Sequence, residues 1–286
     1  MTNNRLLFSF ALVACLLVSA SLVAAQESKY AKLGATKIHY QSYGKGKEAL
    51  VLVHCWTCNM ELWREHIPEF AKRARVIALD LPGHGLSDKP KINYSMDLFA
   101  SAIDAVLQDA QVDRAVLVGH SMGTPVVRQF YRKYPHKTLA IVIVDGVVRP
   151  FGPKESREQF IGPLRGENYQ DAGKKMLTAM IATLSETDKQ RVLTSFLNTP
   201  QHVLVSAMDE MSDDALYTTD KINVPVLALL AKSPFWAADT EQFLHSLAPD
   251  LEYHMWDGVS HYLFMDRPKE FDATVIAFLD KKKLLK

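Results

Sequence analysis

Gly119-His120-Ser121-Met122-Gly123 follows directly on the apolar run Val116-Leu117-Val118, so a serine stands where a buried strand pattern turns into a helical one. So tight a turn needs small residues two positions to either side, which Gly119 and Gly123 supply, and it lifts the hydroxyl out of the sheet. The free N–H groups of the following helix then face whatever the serine attacks. A serine hydroxyl is a poor nucleophile at its own pKa. The chemistry on offer is therefore acyl transfer, with a base to take the proton and an acid to hold that base in the right tautomer.

Among ten histidines, His261 is the candidate base, because Trp256-Asp257-Gly258-Val259-Ser260-His261 is a small-residue loop between the last strand pattern, Leu251 to Trp256, and the final helical pattern. The order Ser then His along the chain also fits. For the acid, Asp145 ends the run Ile141-Val142-Ile143-Val144, and a charge at the C-terminal end of a buried parallel strand faces the crevice where such sheets bind ligands. Asp239 and Asp257 are the alternatives, and Asp145 as a cap on the following segment is the structural one.

A second cluster, Cys55-Trp56-Thr57-Cys58, also follows a strand pattern and precedes a helical one, which is the setting of a thiol redox pair. Oxidised, the two thiols would form a local bridge that stiffens their loop. His54, Cys55 and Cys58 lack the second ligand pair of a zinc site, so no metal is expected there.

The elements that must position these residues are legible as apolar, β-branched runs. Ala49 to His54, Arg75 to Asp80, Arg114 to Val118, Leu139 to Val144 and Val224 to Leu230 read as strands buried on both faces. Helical patterns at Met60 to Ala74, Met96 to Ala110, Thr124 to Tyr134 and Pro268 to Leu279 separate or follow them, so the fold class is α/β with a doubly wound, mostly parallel sheet. Lys37 to Tyr43 alternates as an antiparallel edge hairpin with Gly44 and Gly46 as its turn. From Val148 to about Thr219 no buried strand pattern occurs, but helical ones do, at Ala172 to Leu184 and Asp188 to Leu197. A stretch this long is not a plain connection. It reads as a helical cap over 148–219, inserted in a core made of 26–147 and 220–286. Met176, Met180, Met208 and Met211 in it either line an adaptable apolar pocket or fill the core.

With the strand-to-helix serine turn in this setting, the chain from Lys37 to Leu279 resembles the α/β-hydrolase superfamily, in particular its capped, esterase-like serine hydrolases. The resemblance implies that His261 occupies the position of the catalytic histidine. Many members carry the acid after the strand spanning Val224 to Leu230, where this chain reads Ala231-Lys232-Ser233-Pro234-Phe235-Trp236 with no carboxylate before Asp239. A subset, including some haloalkane dehalogenases, has it where Asp145 stands, after strand six. The resemblance also implies an oxyanion hole from the N–H groups of Met122 and Trp56. Relatives commonly read His-Gly-x where this chain reads His54-Cys55-Trp56, so Cys55 stands where glycine's freedom at positive φ is expected. Asp80-Leu81-Pro82-Gly83-His84-Gly85-Leu86-Ser87-Asp88 matches a common superfamily loop and reads as structural, with His84 packed near the catalytic loop.

Of 286 residues, 48% are hydrophobic and 23% charged, with 33 Lys plus Arg against 32 Asp plus Glu, which excludes disorder and repeat fibres. The near-zero net charge gives no electrostatic case for nucleic acid or anionic membranes, leaving a small molecule as the expected partner. Arg5 followed by the uncharged run Leu6 to Ala25 reads as a signal peptide, 1–25, with a small-residue cleavage site at Val23-Ala24-Ala25. That predicts a secreted or periplasmic protein with no membrane span once the leader is gone. An uncleaved anchor and a lipoprotein processed at Cys15 are the alternatives.

The expected function is a carboxylic ester hydrolase that needs no cofactor, with Ser121 as nucleophile, His261 as base and Asp145 as its orienting acid. Trp56, Phe151, Phe235, Trp236 and Tyr262 would flank the crevice and contact substrate. A lactonase, thioesterase or carbon–carbon bond hydrolase would use the same triad, and a ligand-binding receptor of the same fold would keep the pocket with little turnover.

Overall fold

The buried apolar runs do assemble into one sheet. A computed structural model describes residues 28–150 and 152–285; the expected leader and Phe151 lie outside the described residues. Eight strands, β1 (Lys29–Leu33), β2 (Thr36–Tyr43), β3 (Glu48–Val53), β4 (Arg75–Leu79), β5 (Arg114–His120), β6 (Thr138–Val144), β7 (Val226–Ala231) and β8 (Leu251–Trp256), pair in the order β1-β2-β4-β3-β5-β6-β7-β8. Strands β3 to β8 are mutually parallel and β1 and β2 run antiparallel at one edge. The central strands are buried because helices cover both faces, which is why they read as unbroken Val, Ile and Leu runs.

Ten α-helices follow in chain order: α1 (Ile67–Phe70), α2 (Met96–Asp109), α3 (Gly123–Lys133), α4 (Lys154–Ile161), α5 (Tyr169–Met180), α6 (Glu186–Leu197), α7 (Gln201–Met211), α8 (Thr240–Leu247), α9 (Leu263–Asp266) and α10 (Pro268–Lys281). Helix α2 starts where the Ser95 side chain accepts from the Leu98 N–H. Helices α4 to α7 all fall between β6 and β7.

Two expectations need correction. The hairpin at Lys37 to Tyr43 does not turn at Gly44 and Gly46. Its partner is β1, and β2 is inserted between β1 and β4, so the Gly44–Gly46 stretch leads instead to β3, beyond β4. The helical pattern from Met60 to Ala74 is broken into a 3₁₀ turn, Met60–Trp63, and the single-turn α1. Pro68 explains the break: it has no N–H for the Arg64 carbonyl, and its ring would strike that carbonyl in a continuous helix.

The order β4-β3-β5 places the neighbour that follows β3 in sequence on one side and β5 on the other. The loops leaving the C-terminal ends of β3 and β5 therefore diverge and leave a crevice between them. Among the described residues no helix is long and apolar enough to cross a membrane.

Candidate active site

Ser121 sits at φ 54°, in the left-handed region, between the end of β5 and the start of α3. The neighbouring glycines permit this. A Cβ on Gly119 would overlap the Gly123 backbone, and one on Gly123 would lie 2.7 Å from the Val53 carbonyl oxygen of β3. The Ser121 N–H donates to the Val144 carbonyl at 3.0 Å, and the Thr124 N–H donates to the Ser121 carbonyl at 2.9 Å, so the strained turn is tied to β6 and to its own helix.

At the end of β6, Asp145 is also at positive φ, 42°, with its N–H donating to the Leu229 carbonyl at 2.8 Å. Its carboxylate is shared out. Oδ2 takes the hydrogen bond of His261 Nδ1 at 2.6 Å, while Oδ1 accepts from the Ala231 N–H at 2.8 Å and from the Trp236 indole N–H at 3.2 Å. A proton on Nδ1 leaves His261 Nε2 as the free basic nitrogen. The His261 loop is fixed by Asp266, whose Oδ2 accepts from both the N–H and the hydroxyl of Ser260 at 2.7 and 2.6 Å. His120 donates from Nε2 to the His261 carbonyl at 2.9 Å, and complete burial holds its pKa well below the ordinary value, so it stays neutral.

The other two candidate acids are engaged elsewhere. Asp239 is exposed and paired with Arg149 at 2.6 and 3.2 Å, and Asp257 is exposed and paired with Lys232 at 2.7 Å. Neither is hydrogen-bonded to His261.

Beside the serine turn, the loop after β3 carries a Cys55–Cys58 disulfide with Cα atoms 5.2 Å apart, closed further by the Cys58 N–H donating to the Cys55 carbonyl at 3.1 Å. The expectation that Cys55 occupies a position requiring glycine is not met: the left-handed residue of this loop is Thr57, at φ 57°, and Cys55 is not at positive φ. The Tyr262 hydroxyl lies 3.6 Å from each sulfur. Among the described residues, the buried Met122 and Trp56 backbone N–H groups donate to no protein acceptor, so both are available to a ligand. The loop is also fastened to the inserted helices. The Trp56 indole donates to the Leu204 carbonyl of α7 at 2.9 Å, and the Ser195 hydroxyl of α6 donates to the Thr57 carbonyl at 2.9 Å.

A buried polar layer supports this loop from below. His54 donates from Nδ1 to the Cys55 carbonyl at 2.8 Å and accepts the Leu81 N–H on Nε2 at 3.0 Å. Asp80 takes His39 Nδ1 at 2.8 Å and the Met60 and Leu86 N–H groups at 2.9 Å each, and these bonds outweigh its burial and hold its pKa below the usual carboxylate value. The His84 ring packs 5.1 Å from that of His54, and burial lowers its pKa from 6.5 to about 3; His54 is lowered by the same cause. Below pH 6.5 the unfolded chain therefore binds protons at these sites that the folded chain refuses, so stability falls as the pH drops through this window toward 3. Thermal unfolding should show a lower Tm at pH 5 than at pH 7.5. The contribution from His84 is about 2 kcal/mol at pH 5, and His84→Gln should flatten the slope between these pH values. An unchanged slope in His84→Gln would show that this histidine is not held neutral.

Ser121, Asp145 and His261 all line one cavity of about 750 Å³, with Trp56, Phe235, Trp236 and Tyr262 of the expected substrate-contacting residues. Met176 and Met180 of α5 and Met208 and Met211 of α7 line it too, and Met208 and Met211 are at the same time buried in the hydrophobic core. Arg157 and Phe160 of α4 were not foreseen. The single signal for Arg157 was its i,i+4 spacing from the buried Ile161. Its guanidinium donates to the Gly152 carbonyl at 2.7 Å and pairs with Asp214 at 2.9 Å.

Comparison with known proteins agrees with this architecture. A family model described as the alpha/beta hydrolase fold matches residues 48–171. An uncharacterised protein of Mycobacterium bovis is 27% identical over 258 residues, spanning 81% of this chain and 75% of its own length. A 2-hydroxy-6-oxononadienedioate/2-hydroxy-6-oxononatrienedioate hydrolase of Paraburkholderia phymatum is 28% identical over 279 residues, 89% of this chain and 96% of that one. Among solved structures, an esterase from Exiguobacterium antarcticum superposes with a TM-score of 0.78 at 18% identity, over 89% of this chain and all of the other, a likeness of fold. With the sheet order, the serine turn after β5 and the family match over residues 48–171 together, the chain has the α/β-hydrolase fold.

Proposed function

We propose that the chain is a serine hydrolase that cleaves carboxylic esters with neutral, apolar acyl or aryl groups through an acyl-enzyme on Ser121. The observation that carries this reading is the 2.6 Å hydrogen bond between His261 and Asp145 on the wall of the cavity that Ser121 also lines. His261 Nε2 takes the serine proton as Oγ attacks the carbonyl carbon, and the Met122 and Trp56 N–H groups receive the negative oxygen of the tetrahedral intermediate. His261 returns the proton to the departing alcohol, and a water activated by the same nitrogen then frees the acid. A serine at the nucleophile position, where carboxylate-dependent relatives open epoxides or displace halide, supports acyl transfer over those reactions.

The cavity supports a neutral substrate. The relative from Paraburkholderia acts on a dioate, whereas the cation on this cavity's wall, Arg157, is already engaged by Asp214 and the Gly152 carbonyl. Lactones, thioesters and carbon–carbon bonds remain substrates for the same triad. The Leu6 to Ala25 run and the Cys55–Cys58 bridge support action in an oxidising compartment outside the cytoplasm.

The test is intact-mass labelling by a fluorophosphonate, followed by a panel of esters, lactones and thioesters. One adduct, mapped to Ser121 and absent from Ser121→Ala, is the expected result. Adducts that persist in Ser121→Ala would sink the proposal, and a folded protein that takes no label would favour a ligand-binding receptor.

A further inference from the structure

The loop after β7 holds a device that the triad chemistry does not require. The segment Ala231 to Trp236, where many members of the superfamily place their acid, here presents two hydrogen-bond donors to an acid that comes from β6. These are the Ala231 N–H at 2.8 Å and the Trp236 indole N–H at 3.2 Å, both on Asp145 Oδ1, the oxygen that His261 does not use. Trp236 is half-buried, lines the cavity, and packs edge-on against Phe235 with ring centroids 4.9 Å apart. One side chain thus lines the cavity and bonds the acid through its indole nitrogen.

We infer that Trp236 is a positioning residue: its indole N–H restrains the Asp145 carboxylate, which in turn holds the imidazole of His261 in place. A carboxylate that loses a donor concentrates its charge on its remaining partner, so loss of the indole N–H strengthens its hold on a protonated imidazole. The other ionisable groups around the pair are the buried neutral His120 (Nε2 on the His261 carbonyl), the Tyr262 ring 5.5 Å from that of His261, and Tyr253 of β8, whose hydroxyl feels the Asp145 charge. Lys232–Asp257 and Arg149–Asp239 on the flanking segments are closed ion pairs that the change leaves intact.

The inference rests on the serine hydrolase reading, and its test uses a readout that does not depend on turnover. The His261 imidazole is titrated by NMR with isotope-labelled histidine in the wild type, in Trp236→Phe, and in Trp236→3-benzothienylalanine, which keeps the shape of indole without its N–H. In both variants the His261 midpoint is expected to rise relative to wild type. The isosteric variant should also lower kcat for a short ester about threefold to tenfold, with KM unchanged. An isosteric variant that titrates like wild type overturns the role, even if Trp236→Phe differs, because the ring is then only a wall. Failure of Ser121 to take a fluorophosphonate would count against the hydrolase reading alone, since the titration is read in either case.

Discussion

Asp145→Asn is expected to lower kcat by about four orders of magnitude while the protein stays folded and KM for a neutral ester changes little. The hydrogen bonds around the carboxylate decide how the new amide would sit. Two donors, the Ala231 N–H and the Trp236 indole, point at Oδ1, so the amide oxygen must take that place and its NH₂ must face His261 Nδ1. His261 is then driven to the tautomer with its proton on Nε2, which cannot accept the proton of Ser121. Steady-state kinetics on a p-nitrophenyl ester checks this, with Asp239→Asn as the control expected to turn over like wild type, since Asp239 is exposed and paired with Arg149. Near-native turnover in Asp145→Asn together with loss in Asp239→Asn would transfer the role to Asp239.

Gly123→Ala is expected to damage both stability and the site. The new Cβ would stand 2.7 Å from the Val53 carbonyl oxygen and 3.0 Å from that of His54, both backbone atoms at the end of β3 with no side chain able to swing away. The start of α3 must then move off β3, at a cost of about 1 to 3 kcal/mol, which for a chain of this size lowers Tm by roughly 2 to 12 °C. The same movement parts the Ser121 turn from the loop that offers the Trp56 N–H. Fluorophosphonate labelling should accordingly slow by about a hundredfold. A variant with native Tm and native labelling rate would mean that the turn is not packed against β3 as described.

What could be read in the sequence was local. The strand, the Gly-x-Ser-x-Gly turn and the helix after it lie within one short stretch, and Asp145 announced itself as a charge ending an apolar strand. The order of buried strands likewise followed from runs that needed no partner to be recognised. What escaped depended on pairings across the chain. The partner of β2 is β1, whose five residues carry no strong alternation, and the split of Met60 to Ala74 turned on Pro68 alone. That Thr57, and not Cys55, would take the left-handed angle follows from how the bridge closes its loop, and sequence spacing does not determine it. Trp236 was legible as an aromatic near the crevice, but its bond to a residue 91 positions away was not.

The fastening of the β3 loop to α6 and α7 has an evolutionary consequence. Because Trp56 is bonded to Leu204, and Thr57 to Ser195, helices α6 and α7 and the loop proposed to receive the oxyanion are mechanically one unit. Drift in α7 toward bulkier molecules would disturb the N–H of Trp56 as well, so new specificity is more accessible through changes in α4, which borders the same cavity without a bond to this loop or to Asp145.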